Sequence, residues 1–415
     1  MRTKGTKKLD QRKRIIPKFT FPKTFSFMQD IPITKTQIAV MSAAAGICVA
    51  NIYYNQPILK DIALDFGVTE SRAGIISVLA QAGYGLGLFF ITPLGDKINR
   101  RKLILALQII LVLALVGTTF VQNFFWMCTF SLIMGLLSVA AQVILPLAAS
   151  LDSKKRGHNV GIIFTGILVG ILAARVFSGL IAEWFNWRYV YGISSGLVMI
   201  SSLLLYFTLP DKQQVMFEGN YLRLLGSSLQ QLRRFSLLRR TALLGGLAFG
   251  IFCSFWTTLT FHLSGEPFNY GSDVIGLFGL LAIGGALLAP LFGKLADKGS
   301  PARAQVFSVT LVLVGIVLVQ IYPLSTVAFA VAVLLLDVGV QATQVTNVAT
   351  IYTLDATAHS RINTAYMTSY FIGGALGTFV GIQCWQAGGW HFVTWQLLSW
   401  GIFCLAIAVW GLKEK

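Results

Sequence analysis

The stretch PLGDKINRR, residues 93–101, decides the fold because a related stretch, KLADKGSPAR, occurs again at residues 294–303. Each stretch follows a long apolar run, and each holds an Asp followed by a Lys. Further along, LDSKKRGHN at residues 151–159 and LDATAHSRIN at residues 354–363 form a second related pair with nearly the same spacing. Two matches at one spacing predict an internal repeat, in which the two halves of the chain share one architecture.

The composition predicts a membrane protein that crosses the bilayer many times. Of the 415 residues, 55% are hydrophobic and only 12% are charged, whereas a soluble domain carries about 25% charged residues. The apolar residues form twelve segments of about 20 residues, the length that a helix needs to cross a hydrocarbon layer about 30 Å thick. These segments, the predicted helices 1 to 12 in order, are residues 37–58, 72–95, 103–122, 124–150, 159–184, 188–208, 241–264, 274–296, 304–323, 325–353, 364–387 and 390–411. We therefore predict an all-α membrane protein with twelve transmembrane helices, which the repeat divides into two pseudo-symmetric six-helix bundles.

The net charge of +17 follows the predicted topology and does not indicate a nucleic-acid partner. All Lys and Arg residues except Lys60, Arg72, Arg175 and Arg188 fall in segments that the topology places on one side of the membrane. Such an excess of positive charge marks the cytoplasmic side. We therefore expect a multi-pass protein of the cell (inner or plasma) membrane, embedded in the lipid bilayer, with both termini in the cytoplasm.

A polar, basic stretch in the middle of the chain separates the two sets of six segments. The predicted organisation is a basic cytoplasmic N-terminal arm (1–35), an N-terminal six-helix bundle (36–208), a cytoplasmic central loop (209–240), a C-terminal six-helix bundle (241–411) and a cytoplasmic tail (412–415). The basic arm is rich enough in Lys and Arg to contact anionic lipid, but a topology signal alone explains it more simply.

These features together resemble the major facilitator superfamily. The motif that carries the resemblance is the family's loop G-x-L-A-D-R-x-G-R-R. The second copy in this chain keeps Gly293, Leu295, Ala296, Asp297 and Lys298 in order. The first copy keeps Leu94, Asp96, Lys97, Arg100 and Arg101, with Thr92 and Asn99 at the two glycine positions. The resemblance implies that the two bundles rock about a central cavity and open it to each side of the membrane in turn.

The motif loops are also candidates for a conformational latch on the cytoplasmic side. An Asp in such a loop can accept hydrogen bonds from a helix N-terminus, and an Arg can pair with it or with a helix C-terminus. A latch of this kind would hold the two halves together on one side and release them on the other. The candidate residues are Asp96, Lys97, Arg100, Arg101, Asp297 and Lys298. The alternative is that the basic residues only fix the topology.

Within the superfamily, the pattern is nearest to exporters of the drug/proton antiporter type with twelve helices. Two exporter motifs are nevertheless altered in this chain. Ser131 stands where those exporters have an Arg, four residues before Gly135 in helix 4. Arg175 stands where they have a Pro in helix 5. The altered motifs argue against proton coupling through helix 4 and place a positive charge on helix 5 instead.

Two charges, Arg175 and Asp337, lie well inside apolar runs. A charge in the middle of a bilayer costs about 2.5 to 3.5 kcal/mol, so both residues should face the bundle interior. Their predicted depths differ by only about 5 Å, which is within reach of an arginine side chain. Three interpretations stay open. Arg175 binds an anionic substrate or balances a coupling carboxylate, or the two residues form a structural or gating ion pair, or each has separate polar partners.

Helix 10 carries a polar stripe, since Asp337, Gln341 and Gln344 are spaced at i, i+4 and i+7 and share one face. Lipid does not tolerate such a face, so it should line a cavity or contact another helix. We predict that Asp337 takes up and releases a proton, because a buried, partly paired carboxyl group can have its pKa raised into the working range.

Gln142 in helix 4 and Trp256 in helix 7 are further candidates for the substrate cavity. Gln142 ends a row of small and polar residues, which is also typical of simple helix packing. Trp256 could offer a ring to a substrate or could pack within the core.

The stretch NIYYNQP, residues 51–57, brings polar side chains to the outer end of helix 1. Helical spacing predicts that Asn51, Tyr54 and Asn55 line the outer part of the cavity, while Tyr53 lies against a neighbouring helix or the headgroups. Pro57 is expected to loosen or end the helix. The alternative is an interfacial cap with its tyrosines in the aromatic belt.

The sequence thus predicts a secondary active transporter of a small organic molecule that works by alternating access, with proton-coupled efflux as the first hypothesis. The alternative within transport is proton-coupled uptake of a small organic anion, with Arg175 as its clamp. A non-transporting membrane sensor or scaffold is the alternative from another class. We find no catalytic set, and we expect no cofactor and no metal site. The expected partners are the substrate, protons and lipid, and the expected state is a monomer.

Overall fold

The computed structural model describes residues 33–151, 156–210, 220–281, 300–355 and 358–413. The described parts of the chain are almost entirely helical and contain no strand. The helices are α1 (Lys35–Ala50), α2 (Leu59–Phe66), α3 (Glu70–Phe90), α4 (Arg100–Thr119), α5 (Phe124–Leu137), α6 (Ala140–Leu151), α7 (Arg156–Trp184), α8 (Trp187–Thr208), α9 (Tyr221–Arg234), α10 (Ser236–Ser264), α11 (Ser272–Leu281), α12 (Pro301–Ile321), α13 (Thr326–Ile351) and α14 (His359–Trp410). A short 3₁₀ helix, Thr92–Asp96, lies between α3 and α4.

The helices fit the predicted twelve crossings. Nine of the described helical stretches are long and apolar enough to cross a membrane. Helix α1 and the turns that follow it, residues 51–58, account for the first crossing, and α11 is described over a shorter apolar length. The long helix α14 contains two crossings, because Gly388 and Gly389 interrupt it with non-helical backbone. The predicted class, an all-α membrane protein built from two helical bundles, is confirmed.

Each half has its own packed core. In the first half α1 packs against α7 and α8, α3 packs against α5, and α4 packs against α8. In the second half α10 packs against α14, and α12 packs against α13. The two halves meet where α3 contacts α14 and where α7 contacts α11.

The contact between α7 and α11 depends on two glycines. A Cβ atom at Gly179 would lie 2.2 Å from the carbonyl oxygen of Ser272, and one at Gly276 would lie 2.6 Å from the carbonyl oxygen of Arg175. Because real Cβ atoms do not approach backbone that closely, only glycine allows the two helices to touch backbone to backbone. This contact holds α11 directly against the turn of α7 that carries Arg175.

The molecule has two ends, which we name by their residues. The motif face carries the 3₁₀ helix, the N-terminus of α4 and helix α9, and the far face carries α2 and the α10–α11 connection. On the motif face, Arg234 of α9 forms an ion pair of 2.8 Å with Asp355, and the hydroxyl of Tyr221 donates to the carbonyl of Phe90. The predicted central loop therefore contains a helix that contacts both halves.

Hydrogen bonds between the halves close the far face. The indole N–H of Trp385 donates to Glu70 at 3.0 Å, and the hydroxyl of Ser272 donates to the carboxylate of Asp61. The ammonium group of Lys60 donates to the carbonyl of Ser264. We call these three bonds the far-face closure.

Candidate functional site

A cavity lies between the two halves. Its wall comes from α1 and the segment after it, α3, α6, α7, α10, α13 and α14. The space open to the centre of a water molecule is about 70 Å³, several times the roughly 10–15 Å³ that one water needs. Most of the wall is apolar, and its polar members are Tyr53, Tyr84, Gln142, Arg175, Asp337, Gln341, Gln344 and Tyr370.

The cavity extends toward the motif face. Its wall on α7 runs from Phe164 to Arg175, and its wall on α13 runs from Asp337 to Gln344. The α7 stretch lies in the middle of its helix, and the α13 stretch runs from the middle of its helix toward the motif face. The far-face closure joins the halves at the other end, so the far face is closed in this conformation.

Arg175 lies on the cavity wall and is only 1% exposed. Its Nε donates to the side-chain oxygen of Gln56 at 2.8 Å. Its guanidinium carbon lies 4.1 Å from the ring centroid of Trp256, 5.3 Å from that of Tyr53 and 5.4 Å from that of Phe252. Among the described residues, Nη1 and Nη2 have no hydrogen-bond partner. The charge is thus held by rings and one amide, and both outer nitrogens keep unused hydrogen-bond donors.

Asp337 lies on the same wall and is 3% exposed. Its Oδ2 has no hydrogen-bond partner in the described part of the chain. No ion pair of 4.0 Å or less joins it to Arg175, so the direct pair, one of the three interpretations, is not formed in this conformation. The two charges share a cavity without neutralising each other by contact.

The structure also brings the predicted glutamines to this cavity. Gln341 and Gln344 continue the wall from Asp337 toward the motif face. The hydroxyl of Tyr370 donates to Gln344 at 3.3 Å. Gln142 lines the opposite side and donates to the hydroxyl of Tyr84 at 3.1 Å. The wall between Asp337 and the motif face is therefore polar on both halves.

Trp256 follows the second of its two predicted alternatives, packing within the core. It is 1% exposed and is stacked behind the Arg175 guanidinium, and the cavity wall does not include it. Its indole N–H faces the carboxyl group of Asp337 but does not form a hydrogen bond of normal geometry with it. In this conformation Trp256 therefore supports Arg175 and does not offer a ring to the cavity.

The stretch NIYYNQP requires a correction. Asn51 accepts a hydrogen bond from Ser194 of α8 at 2.8 Å, and Asn55 accepts one from Ser77 of α3. Both side chains therefore face the core of the first half, and the cavity wall includes Tyr53 instead of Asn51, Tyr54 or Asn55. The reason is that α1 ends at Ala50, so the helical spacing used in the prediction does not apply to residues 51–58.

Gln56 is a site residue that the sequence reasoning missed. Its side chain anchors Arg175, and its backbone carbonyl accepts a hydrogen bond of 2.8 Å from the hydroxyl of Thr260 on α10. The available signal was that Gln56 belongs to a polar stretch at the end of a predicted membrane segment. Only the break after Ala50 determines which member of that stretch reaches Arg175.

The contacts that the structure describes for the latch residues Asp96, Arg100 and Arg101 lie within the first half. Arg100 forms an ion pair of 2.9 Å with Asp96 and donates to the carbonyls of Gly95 at 3.0 Å and Pro146 at 3.2 Å. Arg101 donates to the carbonyl of Tyr206. Lys97 is half-buried at the end of the 3₁₀ helix. Asp297 and Lys298 lie outside the described residues.

The part of the chain that the structure describes contains no cluster of His, Cys, Asp or Glu that could hold a metal ion. Its buried polar groups are concentrated around the cavity and at the contacts between helices.

Comparisons with known proteins agree with this architecture. The family described as Major Facilitator Superfamily matches residues 41–378. Uncharacterized transporter YgaY of Escherichia coli O157:H7 is 41% identical over 354 residues, which are 85% of this chain and 90% of that protein. Inner membrane transport protein YnfM of Escherichia coli K12 is 23% identical over 276 residues, 66% of each chain.

A solved structure has the same fold. It is a bacterial homologue of the human lysosomal transporter Spinster in an inward-facing, unoccupied conformation. The TM-score is 0.71, with 14% sequence identity, and the match covers 91% of this chain and 96% of that one. An identity this low shows the shared fold alone.

Proposed function

This chain belongs to the Major Facilitator Superfamily, and on that premise we propose that it is a secondary active transporter that couples the movement of a small organic molecule to protons. The family and the names of its relatives identify it as a multi-pass membrane transporter and not an enzyme. They count against the alternative of a non-transporting sensor or scaffold.

The observation that carries the proposal is that Arg175 and Asp337 lie on the wall of one cavity between the halves. A charge at membrane depth costs about 2.5 to 3.5 kcal/mol even on lenient scales. Neither charge is neutralised by a direct ion pair with a described residue. Keeping both charges at that cost is expected where they bind substrate or a coupling ion, and transporters built from repeats bind both between their halves.

We assign the coupling proton to Asp337. Its carboxyl group has an unpartnered oxygen, and the polar wall formed by Gln341 and Gln344 leads from it toward the motif face. Protons can reach such a group through water in the cavity. A carboxyl group that is exposed to one side of the membrane at a time can take up its proton on one side and release it on the other.

Alternating access supplies the conformational cycle. This conformation has a closed far face, so the other one requires the bonds of Lys60, Asp61 and Glu70 to the second half to break. The motif face must then close, and we propose that the motif loops form the latch there. The members of that latch are Asp96, Lys97, Arg100, Arg101, Asp297 and Lys298.

We propose efflux as the first direction, because the sequence pattern is nearest to drug/proton antiporters. The basic residues of the motif face favour a cytoplasmic position for it and for both termini. The name of the relative YnfM supports the bacterial inner membrane as the location. A monomer is sufficient for this mechanism, because the two halves of one chain complete the cavity.

A second candidate function, uptake of a small organic anion with a proton, is favoured by one specific observation. The Nη1 and Nη2 atoms of Arg175 have no partner in the described part of the chain. An arginine with two adjacent free N–H groups matches the two oxygens of a carboxylate.

The test begins with a thermal-stabilisation screen of the purified protein against small organic molecules. The best compound is then followed in liposomes that contain the protein and a pH-sensitive dye. We expect proton movement to accompany its flux, and we expect Asp337→Asn to abolish that proton movement. Asp65→Asn is the matched control, because Asp65 pairs with Arg188 at 2.6 Å within the first half and away from the cavity. Solute flux without proton movement would rule out proton coupling, and the absence of any solute flux would rule out transport by this protein.

A further inference from the structure

We infer that the cavity binds organic monocarboxylates with a flat, apolar body, and that it binds them together with a proton on Asp337. The inference rests on the proposed function, because it names the substrate class of the same site. The donors of Arg175, the rings beside them and the charge balance of the cavity support this ligand class.

Arg175 offers two hydrogen-bond donors that have no partner among the described residues. Its Nε is fixed by Gln56 and its guanidinium plane is fixed by the ring of Trp256. Nη1 and Nη2 are left as two parallel donors, which have no partner among the described residues. Unpaired buried donors are unfavourable, and a carboxylate satisfies both of them at once through two charge-assisted hydrogen bonds. A sugar hydroxyl or an amine does not match this pair.

The cavity wall also offers aromatic rings to the body of a ligand. Four rings form a continuous surface beside the charged pair. Phe249 stacks on Tyr370 with 4.1 Å between centroids and an angle of 16°, and Phe371 packs on Tyr84 at 4.4 Å and on Phe249 at 5.0 Å. All four belong to the cavity wall. A flat apolar or aromatic group gains most from such a surface.

The charge balance of the cavity depends on whether Asp337 is protonated. With Asp337 ionised, the Arg175–Asp337 pair has no net charge, and an added carboxylate brings a second negative charge into a poorly solvated space. With Asp337 protonated, the carboxylate and Arg175 balance each other. Binding of the anion therefore favours the protonated form of Asp337, and protonation favours binding of the anion to the same extent.

The other titratable groups near this pair do not replace Asp337. They are Tyr53 in the broken segment, Cys253 on α10 and Tyr370 on α14. The ordinary pKa values of a phenol and a thiol, about 10 and about 8.5, exceed neutral pH. No second carboxyl group lies on the described wall. The proton that accompanies the anion is therefore bound at Asp337.

This linkage also has a consequence for direction. Anion and proton are bound in the same conformation and released in the same conformation, so they cross the membrane together. Where the proton gradient is directed into the cell, co-binding favours the second candidate function, uptake of an anion with a proton, over proton-coupled efflux.

The test is isothermal titration calorimetry of the full-length protein with benzoate, phenylacetate, cinnamate and octanoate. Benzamide, which is neutral, and benzylamine, which is cationic, are the matched probes. Titrations near neutral pH in two buffers with different ionisation enthalpies count the protons taken up. We expect at least one of the four carboxylates to bind with uptake of about one proton. We also expect benzoate to bind about tenfold more tightly than benzamide. The wild-type proton count needs no variant, so it remains decisive even if a variant fails to fold.

Variants then assign the groups. We expect Arg175→Gln to weaken carboxylate binding by about tenfold or more, and Asp337→Asn to keep the binding but lose the proton uptake. Arg188→Gln is the control, because the Arg188 guanidinium also lies over a ring, 4.3 Å from the centroid of Trp187, but outside the cavity. Failure of all four acids to bind, equal binding of acid and amide, or binding without proton uptake would overturn the inference.

The two proposals fail in different ways. Proton-coupled flux of a cation, without binding of any carboxylate, would overturn this inference and leave the proposed transport function intact. Binding of a carboxylate to Arg175 with proton uptake, but with no flux in liposomes, would support this inference and overturn the transport function.

Discussion

The far-face closure can be weakened at one bond, between Glu70 of α3 and Trp385 of α14. The Trp385 indole donates to the Glu70 carboxylate at 3.0 Å, and both side chains are partly exposed. Glu70→Gln keeps an acceptor but removes its charge. Losing the charge costs about 1 kcal/mol, because a hydrogen bond to a charged group contributes about 1.5–3 kcal/mol and one to a neutral group about 0.5–1.5 kcal/mol.

The bond exists only when the far face is closed, so its loss acts on the conformational equilibrium. A cost of about 1 kcal/mol raises the population with an open far face about fivefold relative to the closed one. Trp385→Phe removes the donor and keeps a ring, so it should have a similar effect. Because Glu70→Gln weakens and Trp385→Phe removes the same bond, the double variant should show clearly less than the sum of the two single effects.

Double electron–electron resonance is the suitable assay. Spin labels at Leu64 in the first half and Leu324 in the second, which are 72% and 66% exposed, report the separation across the far face in a cysteine-free background. We expect the long-distance population to grow in Glu70→Gln. In Asp65→Asn it should stay unchanged, because the Asp65–Arg188 ion pair lies within the first half. An unchanged distance distribution in Glu70→Gln, or the same change in the control, would refute the reasoning.

Three further predictions follow from single contacts. Gln56→Leu removes the acceptor of the Arg175 Nε, and we expect ligand binding, measured by calorimetry, to weaken by about tenfold. Gln108→Leu, a buried glutamine that bonds to Ser201 within the first half and lies outside the cavity wall, should bind normally. Gly276→Ala places a Cβ 2.6 Å from the carbonyl of Arg175, so we expect a lower melting temperature and slower transport. Arg100→Gln removes the ion pair with Asp96, and we expect the melting temperature to fall by several degrees, since breaking a partly buried pair costs about 1–3 kcal/mol.

The sequence predicted the cavity well where regular helices carry its residues. Asp337, Gln341 and Gln344 share one face because α13 is continuous across them. Arg175 was identified because a charge in an apolar run is conspicuous without any structure. The pair Asp96–Arg100 is close in sequence, so its contact follows from local geometry.

The errors came where the backbone leaves the helix or where distant elements meet. The break after Ala50 changes which side chains face the cavity, so Tyr53 and Gln56 replaced the predicted Tyr54 and the two asparagines. The far-face closure joins residues that are far apart in the chain. No periodicity encodes such bonds, since they depend on how the two halves dock.

The most direct test of the central claim, that Asp337 couples transport to protons, compares two kinds of flux in liposomes that contain Asp337→Asn. We expect exchange of labelled for unlabelled solute to continue, because the cavity and the alternating motion remain. We also expect a proton gradient to drive no net accumulation of solute, in contrast to the wild-type protein. Accumulation at the wild-type level in Asp337→Asn would contradict the account.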